Sequence, residues 1–193
     1  MKKHRWPVRP AFFHALRCLA GAASLCALAS CGAEDKYTDE PAFLRFTPVT
    51  AVAPLQTALQ NPGMWCTVKY NGNYFIFTPS EGNTVQYPFS AVTAGYAKPQ
   101  SVAGFVIGTP SVPDLQGQLV PVAYDLACPT CYKLNSVQRS LTFGANERMN
   151  CDRCGRVYDL ANEGIVVEGE AGEKMLRYHI IYNSAQDVVV VQN

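Results

Sequence analysis

The chain has 193 residues, of which 48% are hydrophobic and 16% charged, and its 16 basic and 15 acidic residues nearly cancel. A chain of this length accommodates one domain. The balanced charge provides no broad basic surface, which argues against nucleic acid as a partner. Ser, His and Asp form no recognisable nucleophile arrangement, and no glycine loop for phosphate is present, so the sequence does not predict an enzyme.

The first thirty residues have the pattern of an export signal. Residues 1–9 are basic, and residues 18–30 form a small apolar run of thirteen residues, too short to span a bilayer. The run ends in Leu28-Ala29-Ser30-Cys31, which resembles the lipobox of bacterial lipoproteins. In that family the peptide is cut before the cysteine, so residues 1–30 would be the signal peptide and Cys31 would carry the lipid. An uncleaved interfacial helix is the alternative.

Cleavage before Cys31 would remove five of the 16 basic residues and no acidic one, so the balance becomes 11 minus 15, or −4. Residues 31–41 are polar and acidic without periodicity, which predicts a lipidated tether ahead of a domain at 42–193. Glu34-Asp35 weakly resembles the acidic export tag of Bacteroidetes lipoproteins, although an ordinary solvated linker is favoured. The predicted location is the cell envelope, lipid-anchored at the outer membrane on its periplasmic or surface face.

Beyond residue 42, short apolar segments alternate with turn signals. Residues 64–70 and 74–77 flank Asn71-Gly72, which predicts a β-hairpin. Residues 55–60 suit a short helix that ends at Pro62-Gly63. Short strands without a long amphipathic helix predict an all-β fold, a small antiparallel sandwich or barrel. The further predicted strands are 43–46, 85–89, 103–107, 119–126, 137–142, 156–160, 165–167, 175–182 and 188–191.

Four cysteines form two C-x-x-C pairs, Cys128 with Cys131 and Cys151 with Cys154, separated by nineteen residues. The spacing turns both sulfurs of a pair to the same side, and Gly155 can take the positive φ that closes such a turn. The pattern predicts two tight turns at the ends of β-hairpins that hold one metal centre with four thiolates. Disulfides between the pairs are the main alternative in an oxidising compartment, and unpaired thiols are a third.

The sequence around these pairs resembles the Rieske iron–sulfur family. Residues 123–129 are similar to the strand that enters the first Rieske loop, and residues 151–160 to the second loop, with Cys154 at the family's histidine position. The resemblance implies a Rieske-like antiparallel β domain with an inserted rubredoxin-like or zinc-ribbon-like metal-binding subdomain, a [2Fe–2S] cluster and electron transfer, in a four-cysteine variant as in Bacteroidetes lipoproteins. The family's two histidine ligands are missing from both loops, which excludes its usual ligand set.

Three functions stay open at this stage. A lipid-anchored electron carrier would hold [2Fe–2S] on the four cysteines, whereas a non-catalytic binding or structural module would hold Zn²⁺. The leader has no adjacent arginines, so the chain would cross the membrane unfolded and acquire its metal outside, which suits Zn²⁺. The electron carrier and the zinc module would both be attached to the membrane through Cys31, and the partner of each would be a redox protein or a surface protein. A thiol oxidoreductase is least favoured, because neither βαβ context nor a helix N-terminus is predicted at a C-x-x-C pair.

Two other residues have chemistry that could belong to a site. Cys66 falls at an apolar position of a predicted strand, which favours a buried free thiol over a ligand or redox role. His179 is the one histidine beyond residue 31 and lies in another predicted strand. We therefore expect His179 to be a structural strand residue rather than a metal ligand.

Overall fold

The computed structural model describes residues 36–95 and 97–193. Lys36–Asn193 form one compact unit. The predicted signal peptide, Cys31 and residues 31–35 of the predicted tether lie outside the described residues. Among the helices of the described ranges, none combines the length and the apolar character needed to span a bilayer.

The described residues form short strands joined by turns, with three α-helices of four to eight residues. A 3₁₀ turn at Val49–Ala51 precedes the first helix. The elements in chain order are β1 (Phe43–Phe46), α1 (Ala53–Gln60), β2 (Met64–Tyr70), β3 (Tyr74–Pro79), β4 (Val85–Pro88), α2 (Ala91–Ala94), β5 (Phe105–Thr109), β6 (Val122–Asp125), α3 (Pro129–Asn135), β7 (Thr142–Phe143), β8 (Arg148–Asn150), β9 (Val157–Asp159), β10 (Ile165–Glu168), β11 (Arg177–Asn183) and β12 (Val188–Gln192).

The large sheet has eight strands in the order β1-β12-β11-β6-β5-β2-β3-β4, and its neighbouring strands are antiparallel. Phe46 on β1 packs against Phe77 on β3 and Tyr87 on β4, with ring centroids 4.9 and 5.3 Å apart. Strands β1 and β4 are opposite ends of the sheet order, so these contacts require the sheet to curl until its edges approach each other. The sheet is therefore a half-barrel around an apolar core.

The two faces of this sheet bury two different cores, because successive side chains on a strand point to opposite faces. On β2, Cys66 belongs to the first core, inside the curl, and its neighbour Trp65 to the second core. Phe105 and Val106 divide between the cores in the same way on β5. The second core also contains three of the four paired cysteines, which places the predicted site against the outer face of the half-barrel.

The small sheet has the order β10-β9-β8-β7 and belongs to a segment inserted between β6 and β11. These two flanking strands are neighbours in the large sheet, where Tyr124 pairs with Arg177. The inserted segment therefore starts and ends at one place on the half-barrel. It contains α3 and all four paired cysteines.

The prediction of a mostly antiparallel β fold with few short helices is confirmed. The hairpin is present, with Val68 of β2 paired to Phe77 of β3, and α1 covers the predicted helix at 55–60. The predicted strand 137–142 is wrong. Only its last residue lies in a strand, β7, because the preceding backbone serves the loop beside the first cysteine pair. There the Cys128 N–H donates to the Arg139 carbonyl at 2.7 Å.

Candidate metal centre

The four predicted ligands converge in one cluster. The ligand atoms of Cys128, Cys131, Cys151 and Cys154 all lie within 4.8 Å of one another. Two Sγ–Sγ distances join the pairs, 3.7 Å from Cys128 to Cys154 and 3.8 Å from Cys131 to Cys151. All four thiols are free, so the disulfides considered as an alternative are not formed. Four cysteines arranged in this way could hold one metal ion.

The sulfur spacing fits the coordination geometry of a single tetrahedral ion. With a Zn–S bond of about 2.3 Å, the edge of a regular ZnS₄ tetrahedron is about 3.8 Å. The two measured distances between the pairs match that edge. A covalent disulfide would require the sulfurs to approach to about 2.05 Å. The cluster therefore has the size of a four-sulfur site around one ion.

The first cysteine pair lies at the start of a helix, so its prediction as a β-hairpin turn is wrong. Cys128 is the N-cap of α3, Pro129 occupies the first turn, and Cys131 lies within the helix. Pro is favoured at such a start because its missing N–H would have no partner there. The helix N-terminus that was expected to be absent is thus present. The strand that precedes α3, β6, nevertheless pairs antiparallel with both β5 and β11. The parallel βαβ context of thiol oxidoreductases is therefore absent around α3.

The second pair lies in the turn between β8 and β9, as the spacing predicted. The Gly155 N–H donates to the Cys151 carbonyl at 3.0 Å, and Gly155 has φ of +70°. A Cβ at this glycine would meet no atom within 4 Å, so backbone conformation rather than crowding favours glycine. The backbone N–H groups of Cys154 and Arg153 favour the ionised Cys151 sulfur, and so oppose the rise in its pKa that burial causes. The turn therefore directs donors at a sulfur that would carry negative charge.

The environment acts differently on the individual thiols. Burial raises the pKa of Cys131 and of Cys151. At Cys154 burial also opposes ionisation, but hydrogen bonds from the backbone and the side chain of Arg156 outweigh it and lower the pKa to about 7. The Arg156 side chain is held by the Glu170 carbonyl, which accepts from its Nε at 2.9 Å. A buried cation is thus positioned to stabilise a cluster of thiolates.

At the surface, an ion pair connects the segment that follows α3 to the β8–β9 turn. The Arg139 Nε donates to Asp152 Oδ1 at 2.6 Å, and a second bond joins Nη2 to Oδ2. Hydrogen bonding to Arg139 lowers the pKa of Asp152. Both side chains are half-exposed, so the pair adds little stability on its own. The Arg139 carbonyl also accepts from the Cys128 N–H. Arg139 therefore connects the first cysteine pair to the turn that contains the second.

The site also contains a buried tyrosine, Tyr158, which the sequence did not indicate as a functional residue. The Tyr158 hydroxyl lies 3.3 Å from the Cys128 Sγ and 3.2 Å from the Thr130 Oγ1. Tyr158 is fully buried, and Thr130 nearly so. The available signal was position alone, since Thr130 lies inside the first pair and Tyr158 four residues after Cys154. Their hydrogen bonds orient Cys128, the role that outer-shell partners have at metal sites.

Replacing Tyr158 with phenylalanine is expected to weaken metal binding about tenfold, because loss of an outer-shell partner typically costs 10- to 100-fold in affinity. Competition with a chromophoric chelator would measure the change. Tyr70→Phe is the matched control, because the Tyr70 hydroxyl donates to the Gly72 carbonyl at 2.7 Å in an exposed hairpin. Equal affinities for the two variants would contradict the role assigned to Tyr158.

The remaining candidate residues lie elsewhere. Cys66 is buried and free in the first core, as predicted. His179 lies exposed on β11, where its ring stacks on that of Tyr37 with centroids 3.7 Å apart. The prediction that His179 is a strand residue is confirmed, and it is not part of the cluster. Cys31 lies outside the described residues, and its lipidation stays a prediction.

No protein-family model matches the chain, and no curated protein matches it significantly. A fold alone does not specify a function, whereas the chemistry of a site can. The four-cysteine cluster and the groups that surround it are therefore the features that indicate a function.

Proposed function

We propose that the protein is a lipid-anchored domain of the bacterial cell envelope in which four cysteines hold one structural Zn²⁺. The observation that carries the metal site is the approach of four cysteine ligand atoms to within 4.8 Å of one another. The membrane anchor is Cys31, supported by the Leu28-Ala29-Ser30-Cys31 pattern. The outer membrane, on its periplasmic or surface face, is the proposed location. The domain is a non-catalytic binding or structural module.

The spacing of the sulfurs favours one ion over a cluster. A [2Fe–2S] cluster held by four cysteines divides them between two iron atoms. Sulfurs bound to different irons must then be farther apart than the edge of a single tetrahedron. The distances of 3.7 and 3.8 Å and the overall limit of 4.8 Å leave no room for that separation without movement of the loops. Four thiolates around a single divalent ion are typical of structural zinc sites.

A structural role follows from what the ion would connect. The strands of the small sheet have only two to four residues each, and such short strands have little stability alone. An ion bound by Cys128, Cys131, Cys151 and Cys154 would join α3 to the β8–β9 turn. With four protein ligands it would have no open position for substrate, unlike catalytic zinc. Its binding energy would therefore support folding of the inserted segment.

A second candidate is a Rieske-like electron carrier with iron in the same site, as [2Fe–2S] or as a single rubredoxin-like iron. The hydrogen bonds to the sulfurs favour it, because Cys128 faces the Tyr158 hydroxyl and Cys154 faces Arg156. Such bonds adjust reduction potentials. Cys154 is also only partly buried, which leaves one sulfur near the surface for electron transfer to a redox partner.

Elemental analysis and absorption spectroscopy of natively exported protein distinguish these candidates. We expect a colourless protein with one zinc per chain. Two irons with two acid-labile sulfides would instead establish [2Fe–2S], and one iron without sulfide a single-iron site. Mass spectrometry of the N-terminal peptide tests the anchor separately, since we expect acyl chains on Cys31. An unmodified N-terminus at another residue would contradict the lipoprotein assignment.

A further inference from the structure

The loop between β5 and β6, residues 110–121, has an apolar tip with a defined conformation. The Asp114 Oδ1 accepts from the backbone N–H groups of Gln116 and Gln118 at 2.9 and 2.8 Å. The Asp114 N–H in turn donates to the Gln118 carbonyl at 2.9 Å. These bonds close a tight turn with Leu115 at its end, where the leucine is fully exposed. An exposed leucine is thus presented by an ordered turn.

The loop that presents Leu115 is itself apolar and almost uncharged. Asp114 is the one charged residue between 110 and 121, and its carboxylate is engaged by the turn itself. Large exposed apolar patches are uncommon on soluble proteins and mark interaction sites. We name these side chains the apolar tip: Val112, 58% exposed, Leu115, 101%, Leu119, 45%, and Val120, 39%.

The apolar tip lies next to the point where the N-terminal segment leaves the domain. Val112, Leu115 and Val120 line a groove of about 410 Å³ together with Lys36, the first described residue. The next residue is fixed on the domain, since the Tyr37 ring stacks on His179 and lies 5.8 Å from the Arg177 guanidinium. The chain therefore enters the domain at the groove.

Only five residue steps connect Lys36 to Cys31. A fully extended chain of that length spans at most about 18 Å. A lipid on Cys31 would therefore keep the groove close to the bilayer surface. Asp114, Glu163 and Arg177 also line the groove, where Arg177 pairs with Glu163 at 3.6 Å and the turn engages the Asp114 carboxylate. The exposed Lys36 adds a positive charge beside them, which suits the phosphates of lipid headgroups. Both the apolar side chains and the charge match the boundary between acyl chains and headgroups.

We propose that the apolar tip inserts into the interfacial layer of the phospholipid bilayer that holds Cys31. This inference rests on the lipid anchor of the proposed function. The anchor supplies attachment, and the short tether raises the effective concentration of the tip at the bilayer. The apolar tip then provides a second contact. Two contacts fix the orientation of the domain on the membrane, which a single point of attachment at Cys31 cannot do.

Tryptophan fluorescence in brominated-lipid vesicles tests this docking. The full-length exported protein is reconstituted in phosphatidylcholine vesicles with brominated acyl chains, and Leu115→Trp is compared with Val92→Trp. Val92 is similarly exposed on α2 and does not line the groove. Trp65 is buried and common to both variants. We expect Leu115→Trp to shift to shorter wavelength and to lose most of its added emission through quenching, and Val92→Trp to do neither. Val112→Trp serves as a second reporter on the same tip.

Flotation of the same vesicles separates failure of the docking from failure of the anchor. Protein that floats while Leu115→Trp is quenched no more than Val92→Trp would overturn the docking and leave the anchor intact. Equally strong quenching of Leu115→Trp and Val92→Trp would indicate unspecific adsorption and would also overturn the docking. A concentration-dependent blue shift of Leu115→Trp without vesicles would identify a second copy of the chain as the occupant instead. Protein that neither floats nor carries acyl chains on Cys31 would overturn both proposals.

Discussion

Replacing Cys151 with serine should abolish metal binding and destabilise the inserted segment. Cys151 is buried in the second core with its Sγ 3.8 Å from that of Cys131, and the described residues that form the ligand cluster are the four cysteines alone. We expect the metal-to-protein ratio to fall from one to near zero. The free energy of unfolding should fall by at least about 3 kcal/mol, which for a domain of this size lowers Tm by about 6 to 12 °C. Elemental analysis and thermal unfolding followed by circular dichroism measure both effects.

Cys66→Ala is the control for the loss of a buried thiol. Cys66 is as buried as Cys151, but it lies in the first core, on the other face of the sheet. This variant should keep one metal ion per chain and lose only about 1 kcal/mol, the typical effect of a point mutation. Excess chelator should lower the Tm of the wild type and leave that of Cys151→Ser unchanged. A wild type whose unfolding does not respond to metal removal would contradict the structural role.

Replacing Asp125 with alanine should produce the second large loss of stability. The Asp125 carboxylate is fully buried and accepts four hydrogen bonds. Its donors are the N–H groups of Val102, Ala103 and Ala127, at 2.8, 3.1 and 2.6 Å, and the Tyr178 hydroxyl, at 2.9 Å. Burial raises the pKa of Asp125, and these donors oppose that shift. Alanine would leave two buried and two part-buried donors without this acceptor, which we expect to cost about 3 to 5 kcal/mol.

Tyr178→Phe is the graded control, because it removes one of the four donors and keeps the carboxylate. Its expected cost is about 1 kcal/mol. Asp125 also lies three residues before Cys128, so its alanine variant should bind metal more weakly as well. Urea denaturation measures the stability of both variants, and chelator competition measures their metal affinity. An Asp125→Ala variant no less stable than Tyr178→Phe would contradict this view of the network.

The four cysteine ligands could be predicted because the spacing that identifies them lies within short stretches of sequence. Two C-x-x-C pairs contain the spacing that brings two sulfurs to one side, and Gly155 indicates the turn of the second pair. The hairpin of β2 and β3 was predictable for the same reason, since alternation and a turn signal are properties of adjacent residues. Cys66 could be assigned to a core from its position on that hairpin. The face on which it lies became clear only when the sheet was seen to separate two cores.

The sequence-based predictions failed where contacts between residues far apart in the chain determine the local structure. The segment after Cys131 has apolar residues at strand spacing, yet its backbone closes α3 and returns to the first pair, where Arg139 meets Cys128. Tyr158 follows the second pair by four residues, and its contact with Cys128 exists only because the fold brings β9 to the start of α3. Asp125 gave no signal, because its four donors come from the segments at 102–103 and 127 and from β11.

The amino-acid sequence alone establishes a mostly β chain with four cysteines paired for one site, and it predicts a signal peptide from the lipobox-like pattern at Cys31. These features depend on composition, short spacing and alternation. The tertiary structure decided that the pairs face each other at tetrahedral distances, that a buried tyrosine and an arginine surround them, and that the apolar tip lies beside Lys36. Each of these joins residues far apart in the chain, and only the folding of the half-barrel and its inserted segment brings them together.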